Sequence, residues 1–203
     1  EAGYGFRSSK FNANVNLYNT TWKDRYQRTS DNAATNQGGY YDFAGITQVH
    51  SGIELDMTAK LDKLKLNGMI SIGNWEYEND ITGRRYDVNN NEISVGTGTA
   101  PTYYVAGTKV GDVAQYTASA GASYDFTKTL SLDANYRYAD KLYASLDPSR
   151  QTSATNKGTL QLPSYGLVDA GLSYKFLFGK DKSDAINFRV NINNVFDYMY
   201  IAE

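Results

Sequence analysis

Residues 116–126 read YTASAGASYDF. Counting by twos places Tyr116, Ala118, Ala120, Ala122, Tyr124 and Phe126 on one side, and Thr117, Ser119, Gly121, Ser123 and Asp125 on the other. Successive side chains of a strand point to opposite faces, so this is a ribbon with one apolar and one polar side. The pattern continues outward in both directions. Leu130, Leu132, Ala134, Tyr136 and Tyr138 oppose Ser131, Asp133, Asn135 and Arg137, and Val168, Ala170, Leu172, Tyr174, Phe176 and Phe178 oppose Asp169, Gly171, Ser173 and Lys175. Ile186, Phe188, Val190 and Ile192 alternate with Asn187, Arg189, Asn191 and Asn193. In the first half the apolar sets are Ala2–Tyr4–Phe6, Phe11 through Leu17, Ile53 through Leu61 and Leu64 through Ile72. These segments predict eight strands, and none carries a helical period.

Composition agrees with strands. The 203 residues include 18 tyrosines and only 3 prolines, a mixture that suits strands and turns. With 20 basic and 22 acidic residues there is no global charge bias, so nucleic acid is not an expected partner. There is no cysteine, which excludes disulfides and thiolate metal sites. No apolar run approaches the ~18 residues of a membrane helix.

Two-faced strands fit either a soluble sandwich or a membrane barrel, and length separates them. Several segments alternate over 11 to 16 residues, against about 5–6 for soluble strands and about 9–11 for a tilted membrane-crossing strand. Connection lengths supply a second criterion. They run short (8–10), long (about 29–42), short (62–63), long (about 80–112), short (127–128), long (144–162) and short (179–184). Strict alternation of tight turns and long loops is the signature of an outer-membrane barrel. Aromatics cluster at the ends of the apolar faces: Tyr4, Phe6, Tyr124, Phe126, Tyr174, Phe176 and Phe178 near the short turns, and Tyr116, Tyr136 and Tyr138 nearer the long loops. Such bands read as interfacial girdles. The expected fold is therefore all-β, an antiparallel transmembrane β-barrel resting against membrane lipid.

The C-terminal motifs narrow this further. Asn191, Asn193, Asn194, Val195, Phe196, Asp197, Tyr198, Tyr200 and Ile201 form an N-hydrophobic-N-N-hydrophobic-Phe-Asp run followed by aromatics. Upstream stand Pro163 and Tyr165, then Val168, Asp169, Gly171, Ser173 and Tyr174 in a V-D-x-G-x-S-Y pattern, and earlier Ser51, Gly52, Glu54 and Leu55. In these motifs the whole of 1–203 resembles the C-terminal barrel of a TonB-dependent outer-membrane receptor. The resemblance implies a barrel of about 22 strands, of which these eight would be the fourteenth to the twenty-first, with a plug domain, a TonB-contacting segment and a closing strand outside this sequence. It implies uptake of a scarce small-molecule nutrient (siderophore-iron, cobalamin or a glycan) at the cell outer membrane, with no catalysis and no cofactor. The alternative is a self-closed eight-stranded barrel with a structural or adhesive role.

By the same resemblance, ligand contacts fall on long loops and upper walls. The candidates by position are Trp22, Arg25, Tyr26, Arg28, Tyr40, Tyr41, Trp75, Tyr77, Arg84, Arg85, Tyr86, Tyr103, Tyr104, Tyr143 and Arg150, whose rings and guanidinium groups suit stacking and anion pairing. The polar sides carry both signs: Glu54, Asp56, Lys60, Asp133, Arg137, Asp169, Lys175 and Arg189. The single histidine, His50, adjoins Ser51, but adjacency in sequence makes no catalytic pair. Residues 87–92 (DVNNNE) open like a calcium loop yet place Glu92 where the loop needs glycine, and 96–101 (GTGTAP) lack a strand–helix setting for phosphate. No metal site is expected.

Overall fold

The computed structural model describes residues 1–31, 38–94, 100–155 and 157–201. Eight long strands follow one another antiparallel in chain order: β1 (Ala2–Arg7), β2 (Phe11–Asp31), β3 (Gly39–Leu61), β4 (Leu64–Tyr77), β8 (Tyr116–Asp125), β9 (Leu130–Asp140), β10 (Tyr165–Phe178) and β11 (Asp184–Ile192). These are the eight that the alternation predicts. The stretch read as one long loop, about 80–112, adds three short strands, β5 (Ile81–Tyr86), β6 (Glu92–Ile93) and β7 (Thr102–Tyr103). β5 pairs with the upper half of β3 and carries β6 and β7 at its other edge, so the sheet has eleven strands among the described residues. They escape a search by alternation because two of them are only two residues long, and β5 (ITGRRY) has no apolar side: Ile81, Gly83 and Arg85 alternate with Thr82, Arg84 and Tyr86. Residues 96–99 of the GTGTAP segment lie outside the described residues.

Register keeps like faces together across the whole sheet. Ala13 opposes Met57, which opposes Gly68, which opposes Ala120, then Tyr136, Val168. One row over, Asn12 opposes Thr58, Asn67, Gly121, Asn135 and Asp169 in turn. A slip of one residue at any ladder would turn a strand inside out, and tight turns hold the register from one end. Asp62 takes a φ of 52° in the two-residue turn between Leu61 and Leu64. The Ser8 hydroxyl accepts the Phe11 amide at 2.9 Å, and the Thr127 hydroxyl accepts the Leu130 amide at 3.0 Å. Edge rings pack beside these turns: Phe6 on Phe11, Tyr124 on Phe126, Phe176 on Phe178.

The apolar face stays exposed: Ile53, Ile70, Leu132, Leu172, Phe176 and Val190 all present large uncovered side chains. On β3 the belt runs from Ile53 to Leu61. Nine residues at about 3.4 Å each, tilted by about 40°, span roughly 20 Å, close to the ~25 Å apolar band of a membrane barrel. Beyond Leu17, Ile53 and Ile72 the same face turns polar at Asn19, Ser51 and Asn74, where Lys109 bonds Asn74 and Glu76, each at 2.5 Å. β2 and β3, at 21 and 23 residues, are about twice the length a bilayer requires, and their upper halves project past the belt.

In that projecting part the pairing shifts twice, between Trp22 and Arg25 and again between Arg25 and Gln27. The first shift adds a residue to β2 near Asp24 (φ 54°), the second to β3 near Gly45 (φ 71°). Each bulge reverses the alternation of its strand. Phe43 and Tyr41 consequently join Ile46 and Gln48 on the polar-face side; Phe43 and Ile46, with Tyr77, Ile81, Tyr103, Val105 and Leu146, form the one buried hydrophobic cluster among the described residues, and Tyr41 packs against it. Gly83 leaves room for the Phe43 ring, which meets Tyr103 edge-on at 5.1 Å. Among the described residues no ladder joins β1 to β11, so the sheet is open.

Leu55→Arg, in the middle of the belt, should lower the unfolding free energy of the bilayer-reconstituted protein by about 2–4 kcal/mol, and Ser71→Arg, on the other face beside Glu54, by less than about 1 kcal/mol. Equal costs in a denaturant titration would mean that the two faces do not differ in environment.

Candidate functional site

The polar face is a built surface. Between β9 and β11 it is a network whose geometry accounts for the V-D-x-G-x-S-Y pattern. Asp169 accepts Arg137 Nη2 at 2.7 Å and the Asn194 amide at 2.9 Å. Gly171 has no side chain where Arg189 of β11 crosses to Asp133 of β9 (3.0 Å); a Cβ there would lie 2.7–2.8 Å from both. Ser173 then accepts Arg189 Nη1 at 2.9 Å. The N-N-x-F-D run closes the same corner: Asn194 Oδ1 accepts the Tyr198 amide at 3.0 Å, and the Val195 amide donates to the Val168 carbonyl at 2.7 Å. The two C-terminal motifs are thus one structure, a turn fastened to a wall. At the short-turn end this face hollows into a groove of about 860 Å³ lined by Lys63, Asp125, Lys128, Lys175 and Arg189.

At the long-loop end the polar face becomes aromatic. His50 lies between two nearly parallel indoles, Trp22 (5.8 Å, 13°) and Trp75 (5.0 Å, 16°). Trp75 Nε1 donates to the Tyr18 hydroxyl at 2.9 Å, and the Tyr18 ring lies over Gly52 and Gly73. The Arg25 guanidinium sits 5.3 Å from the Trp22 ring centre and bonds the buried Gln48 side chain. Gln115, also buried, fixes the backbone beneath Trp75: its Oε1 accepts the Trp75 amide (3.0 Å), and its Nε2 donates to the carbonyls of Trp75 (3.0 Å) and Val110 (3.1 Å). That side chain continues the ladder where the β4–β8 pairing stops at Ile72 and Tyr116. Next to the row opens a cleft of about 310 Å³ that includes Arg25, Gln27, Tyr77, Asp112 and Ser145. Its rim depends on Gly111, whose backbone is pressed against the Ala144 carbonyl too closely for any side chain.

The sequence candidates divide between two sides. Trp22, Arg25 and Trp75 come together in the aromatic row. Arg85 lies on the same side, bonded to Asp31 at 2.5 Å with its guanidinium over Tyr41. Tyr103, and with it Tyr77, is buried in the hydrophobic cluster, where it packs the projecting hairpin. Tyr26, Arg84 and Tyr86 face the opposite way: Tyr26 bonds Asp42, Arg84 pairs with Glu92 at 3.1 Å, and Tyr86 stacks on Tyr40 at 5.0 Å. Asp42 also receives Arg28, which holds its carboxyl below the usual range. Tyr104 donates its amide to the Gln151 carbonyl, and Arg150 stands exposed on a 3-10 turn (Pro148–Arg150) beside Asp147. Tyr143 bridges Gln161.

Sequence reading missed His50 and Tyr18 as members of this surface. Counting by twos back from Glu54 places His50 on the polar side, and Gly52 and Gly73 mark where a ring lies across the sheet. His50 and Ser51 project to opposite faces, and the polar contact of the imidazole is Gln48 Oε1, 3.4 Å from Nε2. Asp87 spends its carboxylate on its own turn, accepting the Asn89 and Asn91 amides at 2.8 Å each.

A family model described as TonB dependent receptor-like, β-barrel matches residues 1–195. The chain belongs to the TonB-dependent receptor β-barrel family. This family comprises outer-membrane receptors and transporters rather than enzymes, and it implies plug, TonB and nutrient partners. No curated protein matches the chain.

Two outcomes test this surface. In Gly52→Ala the new methyl would lie 2.6 Å from the Ile72 carbonyl as well as against Tyr18, so backbone must move; the expected loss is about 1–3 kcal/mol by denaturant unfolding, and an unchanged midpoint would mean that Tyr18 is not seated there. Burial, and then Arg25, pushes the His50 pKa below its ordinary 6.5. The unfolded chain therefore binds the proton more readily, so His50's contribution is present above pH ~6.5 and is lost as pH falls. Wild type should lose more stability between about pH 7.5 and 5 than His50→Gln, and identical slopes would contradict the burial.

Proposed function

We propose that this wall belongs to a larger plugged barrel that takes up a scarce nutrient, such as siderophore-bound iron, cobalamin or a glycan, across the outer membrane with energy delivered through TonB. The observation that carries the reading is the placement of the aromatic row, on the polar face at the long-loop end, where a ligand arriving from outside would first meet the wall. The predominantly basic groove at the other end of the same face suits a plug domain, which needs polar contacts that can be made and broken.

The remaining strands enter through the sheet edges. β1 and β11 are each paired on one side among the described residues, and an unpaired edge in hydrocarbon costs several kcal/mol per backbone group. Flanking strands of the same barrel would satisfy both edges. A self-closed eight-stranded barrel would need a β1–β11 ladder instead.

The test is uptake in cells carrying the intact gene, with labelled ferric siderophores, cobalamin and oligosaccharides. One class should accumulate only when the gene is present and only while the proton-motive force is maintained. Accumulation that is independent of the gene, or that persists after a protonophore, for every class would defeat the reading.

A further inference from the structure

We propose that the wall formed by Trp22, Arg25, Gln27 and Asp112 takes an uncharged, hydroxyl-rich ring compound, a saccharide; this rests on the uptake reading above. Trp22 packs against His50 yet remains half exposed (50%), which leaves indole surface open to the polar side. A flat, electron-rich ring surface suits the aliphatic C–H side of a sugar ring. Arg25 links this indole to the cleft: its guanidinium lies near the Trp22 ring and is oriented by Gln48. Along the cleft stand a pure donor (Arg25), a carboxylate (Asp112) and two groups that both donate and accept (Gln27 and Ser145). Sugar hydroxyls each donate and accept, so an alternating set of this kind satisfies neighbouring hydroxyls together.

Charge decides between a saccharide and an anionic chelate. The cleft holds one cation and one carboxylate, Arg25 and Asp112. Arg85, on the same side, is bonded to Asp31. Arg28, Arg84 and Lys109 belong to the opposite face and pair with Asp42, Glu92 and Glu76. A multiply charged anion placed on this wall would lose its hydration without a matching set of uncommitted cations, which is costly. A neutral ligand incurs no such cost, and the stacked rings supply apolar contact that ionic strength does not weaken.

The test uses the full-length receptor in detergent, titrated calorimetrically with neutral gluco-, xylo- and N-acetylglucosamine oligosaccharides, a ferric tris-catecholate complex and cyanocobalamin. A neutral oligosaccharide should bind, with affinity falling about 10-fold in Trp22→Ala, recovering in Trp22→Phe and falling again in Asp112→Asn. Raising salt from about 0.05 to 0.5 M should change it by less than about 2-fold. Failure of every oligosaccharide to bind at millimolar concentration overturns the proposal, as does binding that Trp22→Ala leaves intact. Preferential, salt-sensitive binding of the ferric complex, lost in Trp22→Ala, overturns the saccharide assignment and leaves the uptake reading in place. Absence of energised uptake of any class removes both.

Discussion

A peptide group in hydrocarbon has no solvent to bond, so each N–H and C=O of a membrane-crossing strand must find its partner on the neighbouring strand. That requirement makes the ladder register the controlling variable of this protein. Once Leu61 and Leu64 are paired across a two-residue turn, every opposition up to Gln48 and Tyr77 follows without a shift. With a side-chain period of two, the register then assigns each residue either to lipid or to the interior. The long row from Asn12 to Asp169 is the result, and the stacked rings of Trp22, His50 and Trp75 lie on the upper continuation of that row's face.

The polar face is not simply what remains when the apolar residues turn outward. Its glycines sit where long side chains cross the sheet: Gly171 under the Arg189–Asp133 pair, and Gly52 and Gly73 under Tyr18; on the apolar face Gly166 lies likewise under Tyr136. Each pair exchanges a missing Cβ for a partner's reach, which lets a wide residue lie flat without forcing the strands apart. Most of the ion pairs involved keep substantial solvent exposure, so each contributes at most about 1 kcal/mol. Their effect is positional. Asp169, shared between Arg137 and the Asn194 amide, ties the turn after β11 to a strand two ladders away.

How much of this could be read from residues alone depends on whether the signal was periodic. The eight long strands, the two faces and the short turns follow from alternation, and Trp22, Arg25 and Trp75, conspicuous near the loop ends, come together in space. Tyr103 stands among the positional ligand candidates yet is core, because position in a loop says nothing about burial when the loop folds back on itself. The buried cluster was invisible for a related reason. Phe43 and Ile46 sit three apart, an odd spacing that alternation assigns to opposite faces, and only the bulge at Gly45 brings them together. His50 has Ser51 as its neighbour in sequence, but its neighbours in space are two indoles from adjoining strands.

The two irregularities in the β2–β3 hairpin have opposite sense. One strand gains a residue near Asp24, the other near Gly45, and above them the pairing returns to the offset it had below. Length variation in this hairpin is therefore coupled: removing a single residue from one strand between the two kinks throws the whole tip out of step, whereas matched removal of one from each restores it. Relatives should accordingly gain or lose residues here in pairs. An alignment that places a lone gap in either strand would misassign everything from the kinks to the tip.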